Sequence, residues 1–226
     1  MIELALSLAP GLAICVFVFW KDKFEKEPKK LLVICFFLGV LSALIAGLTS
    51  IGLEKFIPKD NDTLYTFLNA FIAVAFIEEL SKFIFMYLYA YPKDSFNEPF
   101  DGITYSVMVS MGFATIENIM YVVQGGMSVA ILRMFTAVPA HAMFAILMGY
   151  FTGLAKFDNH KRTTYLLYAL LSATALHGLY DFCLFMNKYP ILILGALASL
   201  IIGYVLSKKA IKLHQAQSPF HPDKNK

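Results

Sequence analysis

Charge is scarce in this chain. Of its 226 residues only 15% are Asp, Glu, Lys or Arg, while 58% are hydrophobic and the mean hydropathy is +0.64. A soluble domain carries about 25% charge, so a water-soluble enzyme is excluded as the starting assumption. The net charge of +3 is too small and too scattered to mark a nucleic-acid-binding surface. Cysteine is scarce too. Cys15, Cys35 and Cys183 all lie in apolar runs, where they cannot build an exposed disulfide framework, and their spacing matches no metal motif. The N-terminus lacks a basic region and a small-residue cleavage site, so the first apolar run is expected to be retained rather than removed as a signal. There is no internal repeat and no stretch polar enough for a soluble domain.

What is present is a series of apolar blocks, each long enough to cross a ~30 Å hydrocarbon core as a helix. Seven spans are expected, near Leu4–Trp20, Leu31–Leu53, Tyr65–Tyr91, Gly102–Gln124, Met127–Ala155, Thr164–Met186 and Ile191–Ser207. Arg133 interrupts the start of the fifth, and Pro139 is expected to kink it. The fold class is therefore an all-α, polytopic transmembrane bundle in the lipid bilayer of a cell membrane. Residues 1–207 read as one membrane domain, and 208–226 as a polar tail ending in a disordered segment. Fourteen basic residues lie in "KDKFEKEPKK", "PKDSFNEPF", "KFDNHKR" and the tail, against four in the alternate connections. Basic residues stay on the cytoplasmic side, which puts the N-terminus outside and the C-terminus in the cytoplasm.

The third span holds an anomaly, "AFIEELSKFIF" (75–85). Its twelve Leu, Ile, Val and Phe residues favour insertion by roughly 4–7 kcal/mol. Glu78, Glu79 and Lys82, left charged and unpaired, would cost on the order of 7–10 kcal/mol. Other spans must compensate. The fourth carries "GFATIENIMY" with Glu117 and Asn118, the fifth "PAHAMF" with His141, and the sixth "LHGLYD" with His177 and Asp181. At ~1.5 Å per residue, Glu78, Glu117, His141 and His177 each fall about 20–22 Å from the start of their spans. Four helices thus bring polar groups to one depth.

Spacing adds direction. Glu78 with Lys82, and His177 with Asp181, are i, i+4 pairs that share a helix face. Glu78 and Glu79 are 100° apart, so one is expected to face a cavity while the other pairs with Lys82 or a neighbouring helix. Lone intramembrane Asn118 and Tyr121 can equally be interhelical glue, and Asp101 and Arg133 read as solvated residues at the membrane edges. Three Glu, two His and one Asp at one depth point instead to function.

Water among carboxylates and imidazoles is a hydrolytic arrangement, with a Glu as base and His stabilising an oxyanion. One Glu with His141 and His177 is also the ligand set of a catalytic zinc site, with Glu79 as the carboxylate, although no HExxH is present. Lys82 opposes a dication, so no metal is expected, with zinc the alternative. A proton- or ion-coupled transporter would also place Glu and His at the midplane, but the two halves show no matching polar motifs. A receptor or scaffold with a purely structural cluster is the third class.

Along residues 9–186 the sequence resembles the PrsW family of intramembrane proteases. The matching stretches are "APG", "KDKFEKEP", "EELSK", "PFDGITYSVMVSMGFATIENIMY", "PAHAMFAILMGYFTG" and "LHGLYDF". The family is similar in turn to CAAX-prenyl proteases and bacteriocin-processing enzymes. The resemblance implies that Glu78 and Glu79 are the catalytic pair, with Glu117, His141 and His177 as further site residues and Asn118 and Asp181 in support. It also implies a bacterial enzyme making the site-1 cut in a single-pass membrane protein, an anti-sigma factor, to release a sigma factor in a stress response.

The charge asymmetry makes a direct prediction. In a cysteine-free background, Lys26→Cys and Lys212→Cys should resist an impermeant thiol reagent in intact cells, while Lys59→Cys should react. Ready labelling at 26 and 212 would reverse the orientation.

Overall fold

Backbone amides in hydrocarbon have no water to bond, so a chain this apolar must satisfy them within helices. The computed structural model, which describes residues 2–186 and 188–224, is helical throughout and has no strand among those residues. Helices α1 (Ile2–Lys21) and α2 (Lys29–Glu54) come first. A composite rod follows, made of α3 (Asp62–Leu68), a π-helical stretch (Asn69–Phe76), α4 (Ile77–Phe85) and a second π-helical stretch (Met86–Ala90). Then come α5 (Pro99–Phe135), α6 (Ala137–Phe157), α7 (Arg162–Phe185) and α8 (Leu192–Gln217), with a 3₁₀ turn at Pro222–Lys224.

By length and composition five stretches could cross a membrane: Ile2–Lys21, Lys29–Glu54, Pro99–Phe157, Arg162–Phe185 and Leu192–Lys224. The expected third span is not among them, since no single α-helix in it is long enough, although its helical rod runs without a gap from Asp62 to Ala90. The 59-residue stretch folds back on itself. The fold-back begins at Gly126, whose φ of 68° suits glycine, and ends at Thr136 (φ −121°, ψ −79°). Residues 127–135 return beside the end of α5, so the fifth expected span does not start at Met127. Its long helix starts at Ala137. The kink falls at Thr136 rather than Pro139, which sits in the first turn of α6, where its missing N–H costs nothing.

Helix α5 is the centre of the bundle, packed against α1, α2 and α6. In lipid such packing relies on close backbone approach at small residues rather than on expulsion of water. Where α2 crosses α5 the approach is extreme. A Cβ at Gly39 would stand 1.8 Å from the Val109 carbonyl oxygen, and one at Gly112 would stand 1.8 Å from that of Phe36.

The polar end of the chain departs from expectation. Helix α8 continues ten residues past Ser207 and is ordered to Gln217. His214 is fully buried and stacks on Tyr150 with ring centroids 4.5 Å apart. Gln215 donates to the Lys21 carbonyl at 2.6 Å, and His221 packs edge-on against Phe24. The segment expected to be disordered is thus docked on the α1–α2 connection. Met1, Asn225 and Lys226, the outer limits of the two expected regions, lie outside the described residues.

The α2–α5 crossing yields a test. Gly112→Ala should lower the melting temperature in detergent, since overpacking costs about 1–3 kcal/mol. Gly47→Ala on α2, where a Cβ meets nothing within 4 Å, should leave it unchanged or slightly raised. Equal melting of the two variants would mean that these helices do not touch there.

Candidate active site

The polar residues of four separate segments meet. The π-helical stretch before Ile77 ends one residue short of Glu78, so α4 presents Glu78 and Glu79 with ordinary α spacing. Their roles separate as the 100° offset requires. Glu79 is fully buried, and its Oε1 accepts from Lys82 Nζ at 2.8 Å and lies 2.8 Å from His177 Nδ1. Glu78 is 3.6 Å from Lys82 Nζ and leaves its Oε2 without a hydrogen-bond partner. It lines a cavity of about 450 Å³ together with Glu117, Arg133, His141, His177 and Asp181.

Lys82 can only donate, so the His141 Nδ1 at 3.1 Å from its Nζ accepts. The imidazole hydrogen then sits on Nε2, which points at Glu117 Oε2 at 2.9 Å. His177 has Glu79 on Nδ1 and Asp181 Oδ2 3.2 Å from Nε2, so each nitrogen faces a carboxylate. Phe144 stacks on His177 with centroids 4.7 Å apart, and the Phe113 ring lies 4.0 Å from Lys82 Nζ. These rings shield the buried charges and fix the imidazole plane.

Every site residue expected from the sequence is here except Asn118, which turns away. Its side-chain amide donates to the Ser7 carbonyl at 3.1 Å, tying α5 to α1, and its Oδ1 accepts from Arg133 Nε at 3.0 Å. Arg133 is the residue that sequence reasoning misplaced. The fold-back brings its guanidinium 2.8 Å from Glu117 Oε2 and 4.0 Å from the Tyr121 ring. The available signal was an Arg inside an apolar run just after "QGGM", a glycine pair able to reverse the chain. Asp101 is no solvated edge residue either, being fully buried at the far end of α5.

The donors suit a divalent metal ion. Glu78, His141 and His177 each offer one ligand atom, and these atoms lie within 4.8 Å of one another. The carboxylate in that set is Glu78, not Glu79, because the Oε1 of Glu79 serves Lys82 and His177 and its Oε2 is turned elsewhere in the core. Charge counting is compatible. Glu78, Glu79, Glu117 and Asp181 face Lys82, Arg133 and His177, whose two nitrogens each meet a carboxylate, so negative charge is left over for a proton or a cation. The contrary feature is Lys82. While it bonds His141 Nδ1, that ring's Nε2 carries the hydrogen and has no lone pair to give a metal.

A family model described as "PrsW family intramembrane metalloprotease" matches residues 27–207. The chain is 38% identical over 178 residues to "Protease PrsW" of Geobacillus kaustophilus, covering 79% of this chain and 77% of that one. It is 35% identical over 179 residues to "Protease PrsW" of Bacillus subtilis (79% and 80%), and 33% over 202 residues to that of Clostridioides difficile (85% and 84%). No solved structure matches. Nothing in these comparisons supports a transporter. With its apolar helices and its buried polar cluster, the protein is a multi-pass membrane protease of bacteria, and the chain belongs to the PrsW family of intramembrane proteases.

Proposed function

We propose that this protease cuts a single-pass membrane protein by water activated at Glu78, and that its substrate is an anti-sigma factor whose site-1 cleavage releases a sigma factor for a stress response. One observation carries the mechanism. Among the clustered acids, Glu79, Glu117 and Asp181 each have an oxygen against a cation or an imidazole nitrogen, at 2.8 Å, 2.8 Å and 3.2 Å. Glu78 alone keeps every such group beyond 3.5 Å while facing the cavity, with Oε2 unpartnered. A base must reach its water, and of the two glutamates that keep an unpartnered oxygen, Glu78 lines the cavity while Glu79 is sealed in the core.

In this reading Glu78 takes a proton from water as the oxygen attacks the scissile carbonyl carbon. The negative charge that develops on the carbonyl oxygen is met by His177, held between Glu79 and Asp181, and by the Arg133 guanidinium on the cavity wall. The C–N bond then breaks, and the Glu78 carboxyl returns its proton to the leaving nitrogen. Glu79 and Lys82 are positioning residues, acting through His177 and His141. Asn118 positions Arg133. A divalent metal held by Glu78, His141 and His177 would polarise the carbonyl and acidify its water. The substrate class rests on the family resemblance, and the N-out orientation on the basic residues.

Glu78→Gln should cut cleavage of a co-expressed tagged anti-sigma factor by about 10²-fold or more on an immunoblot, the usual worth of a general base, with the protein still present in the membrane. Unchanged cleavage would remove Glu78 from the mechanism. Because Lys82 occupies His141, dialysis of the purified enzyme against a strong chelator should leave activity intact and elemental analysis should find no stoichiometric metal. One zinc per chain, lost with activity and restored by adding it back, would replace this mechanism with a metal-based one.

A further inference from the structure

A second polar cluster lies at the opposite end of α5, built by residues the proteolytic chemistry does not use. The α1–α2 connection supplies Asp22, Glu25 and Glu27, and the start of α5 supplies Glu98 and Asp101. Asp22, Glu98 and Asp101 each bring one carboxylate oxygen within 4.8 Å of the others, and so do Glu25, Glu27 and Asp101. The two triads share Asp101. From Asp101 to Glu117 is about 24 Å along the helix, so this cluster is separate from the active site.

Its acids are buried without counter-ions. Asp22, Glu27, Glu98 and Asp101 are each at most 2% exposed. Among the described residues no lysine or arginine forms an ion pair with any of the five. The nearby ammonium groups are engaged elsewhere, Lys26 with the carbonyls of Phe19 and Asp22, and Lys156 with that of Tyr91. Some acid oxygens have partners: Asp101 Oδ2 accepts from the amides of Asn97 and Glu98, and Glu27 Oε2 from the Tyr105 hydroxyl. Six do not, namely both of Asp22, Glu25 Oε2, Glu27 Oε1, Glu98 Oε2 and Asp101 Oδ1. Asp22 is decisive, being fully buried with both oxygens unpartnered and one of them inside the first triad.

Left to itself such a site is costly, since each buried charge without a partner costs several kcal/mol. Each triad offers three carboxylate oxygens, the ligand type that a hard divalent cation takes in preference to nitrogen or sulfur. We propose that Asp22, Glu25, Glu27, Glu98 and Asp101 form a structural site for a hard divalent cation of the calcium or magnesium class. The ion would pin the α1–α2 connection to the start of α5. The docked C-terminal segment, through His221 on Phe24, covers the same corner.

Terbium, which stands in for calcium, tests this on the full chain in detergent, because Tyr105 on Glu27 is placed to sensitise its emission. Sensitised emission should saturate at one ion per chain, be displaced by calcium or magnesium chloride, and bind at least tenfold more weakly in Asp22→Asn. Should Asp22→Asn fail to fold, Glu27→Gln is read in its place. Calcium or magnesium should also raise the melting temperature of the unaltered protein. No emission and no thermal shift would mean that the acids share protons instead, overturning the proposal. So would emission that survives in Asp22→Asn and Glu27→Gln but is lost in Glu78→Gln, which would place the ion in the proteolytic site.

Discussion

A charge inside hydrocarbon has to find another charge, and that requirement organises this molecule. Lys82 is the hub. Its ammonium touches Glu79 at 2.8 Å, His141 at 3.1 Å and Glu78 at 3.6 Å, and it rests against the Phe113 ring. Through these contacts α4 is fastened to α5 and α6, and through Glu79 to α7 by way of His177. Losing one member of a buried pair leaves the other uncompensated, at a cost of about 3–5 kcal/mol. The residues that hold the bundle in register are therefore the ones that position the chemistry.

The rest of the packing serves that hub. Helices in lipid gain little from burying leucine, so approach distance decides which pairs are stable. At Gly39 and Gly112 backbone meets backbone, bringing α2 against α5 closely enough for the Glu117 face of α5 to look into the cavity. The same rod carries buried acids at its other end, where Asp101 closes a capping box with Glu98. The stretch of α5 before Gly126 therefore spaces two clusters of ionisable groups, one around Glu117 and one around Asp101.

Much of this was legible in the sequence, and the reason is physical. Glu, His and Lys are so costly in an apolar run that their positions alone mark a common depth, and i, i+4 spacing supplies the facing. That logic gave the divergence of Glu78 and Glu79, the His177–Asp181 pair, and the common depth of Glu117 and His141, though not which glutamate faces the cavity nor that Glu117 meets His141. It failed where hydropathy carries no information about direction. An apolar segment that crosses and one that doubles back read alike, so the turn at Gly126 hid the reach of Arg133 to Glu117. Asp101 lay at a helix end and passed for a solvated residue, though main-chain amides and other acids enclose it. The tail is polar by composition, yet His214 supplies a ring face for Tyr150. Asn118 read as either glue or chemistry, and its amide does two things, tying α5 to the Ser7 carbonyl and accepting from Arg133 beside the site.

The fold-back also bears on how water reaches the site. Helix α6 begins beside Glu117, since His141 in its second turn is 2.9 Å from that carboxylate. Its opening amides, those of Ala137 and Val138, thus emerge from a broken backbone beside the polar cluster. Lipid offers such amides nothing, and non-helical backbone is tolerated at membrane depth only where it is enclosed by protein or borders an aqueous space. The break that delivers His141 to the cluster meets that condition, since Val138 is fully buried and Thr136 and Ala137 line the polar cavity. For a hydrolase, the cavity that this break borders is also the space in which its second substrate, water, has to stand beside the acids.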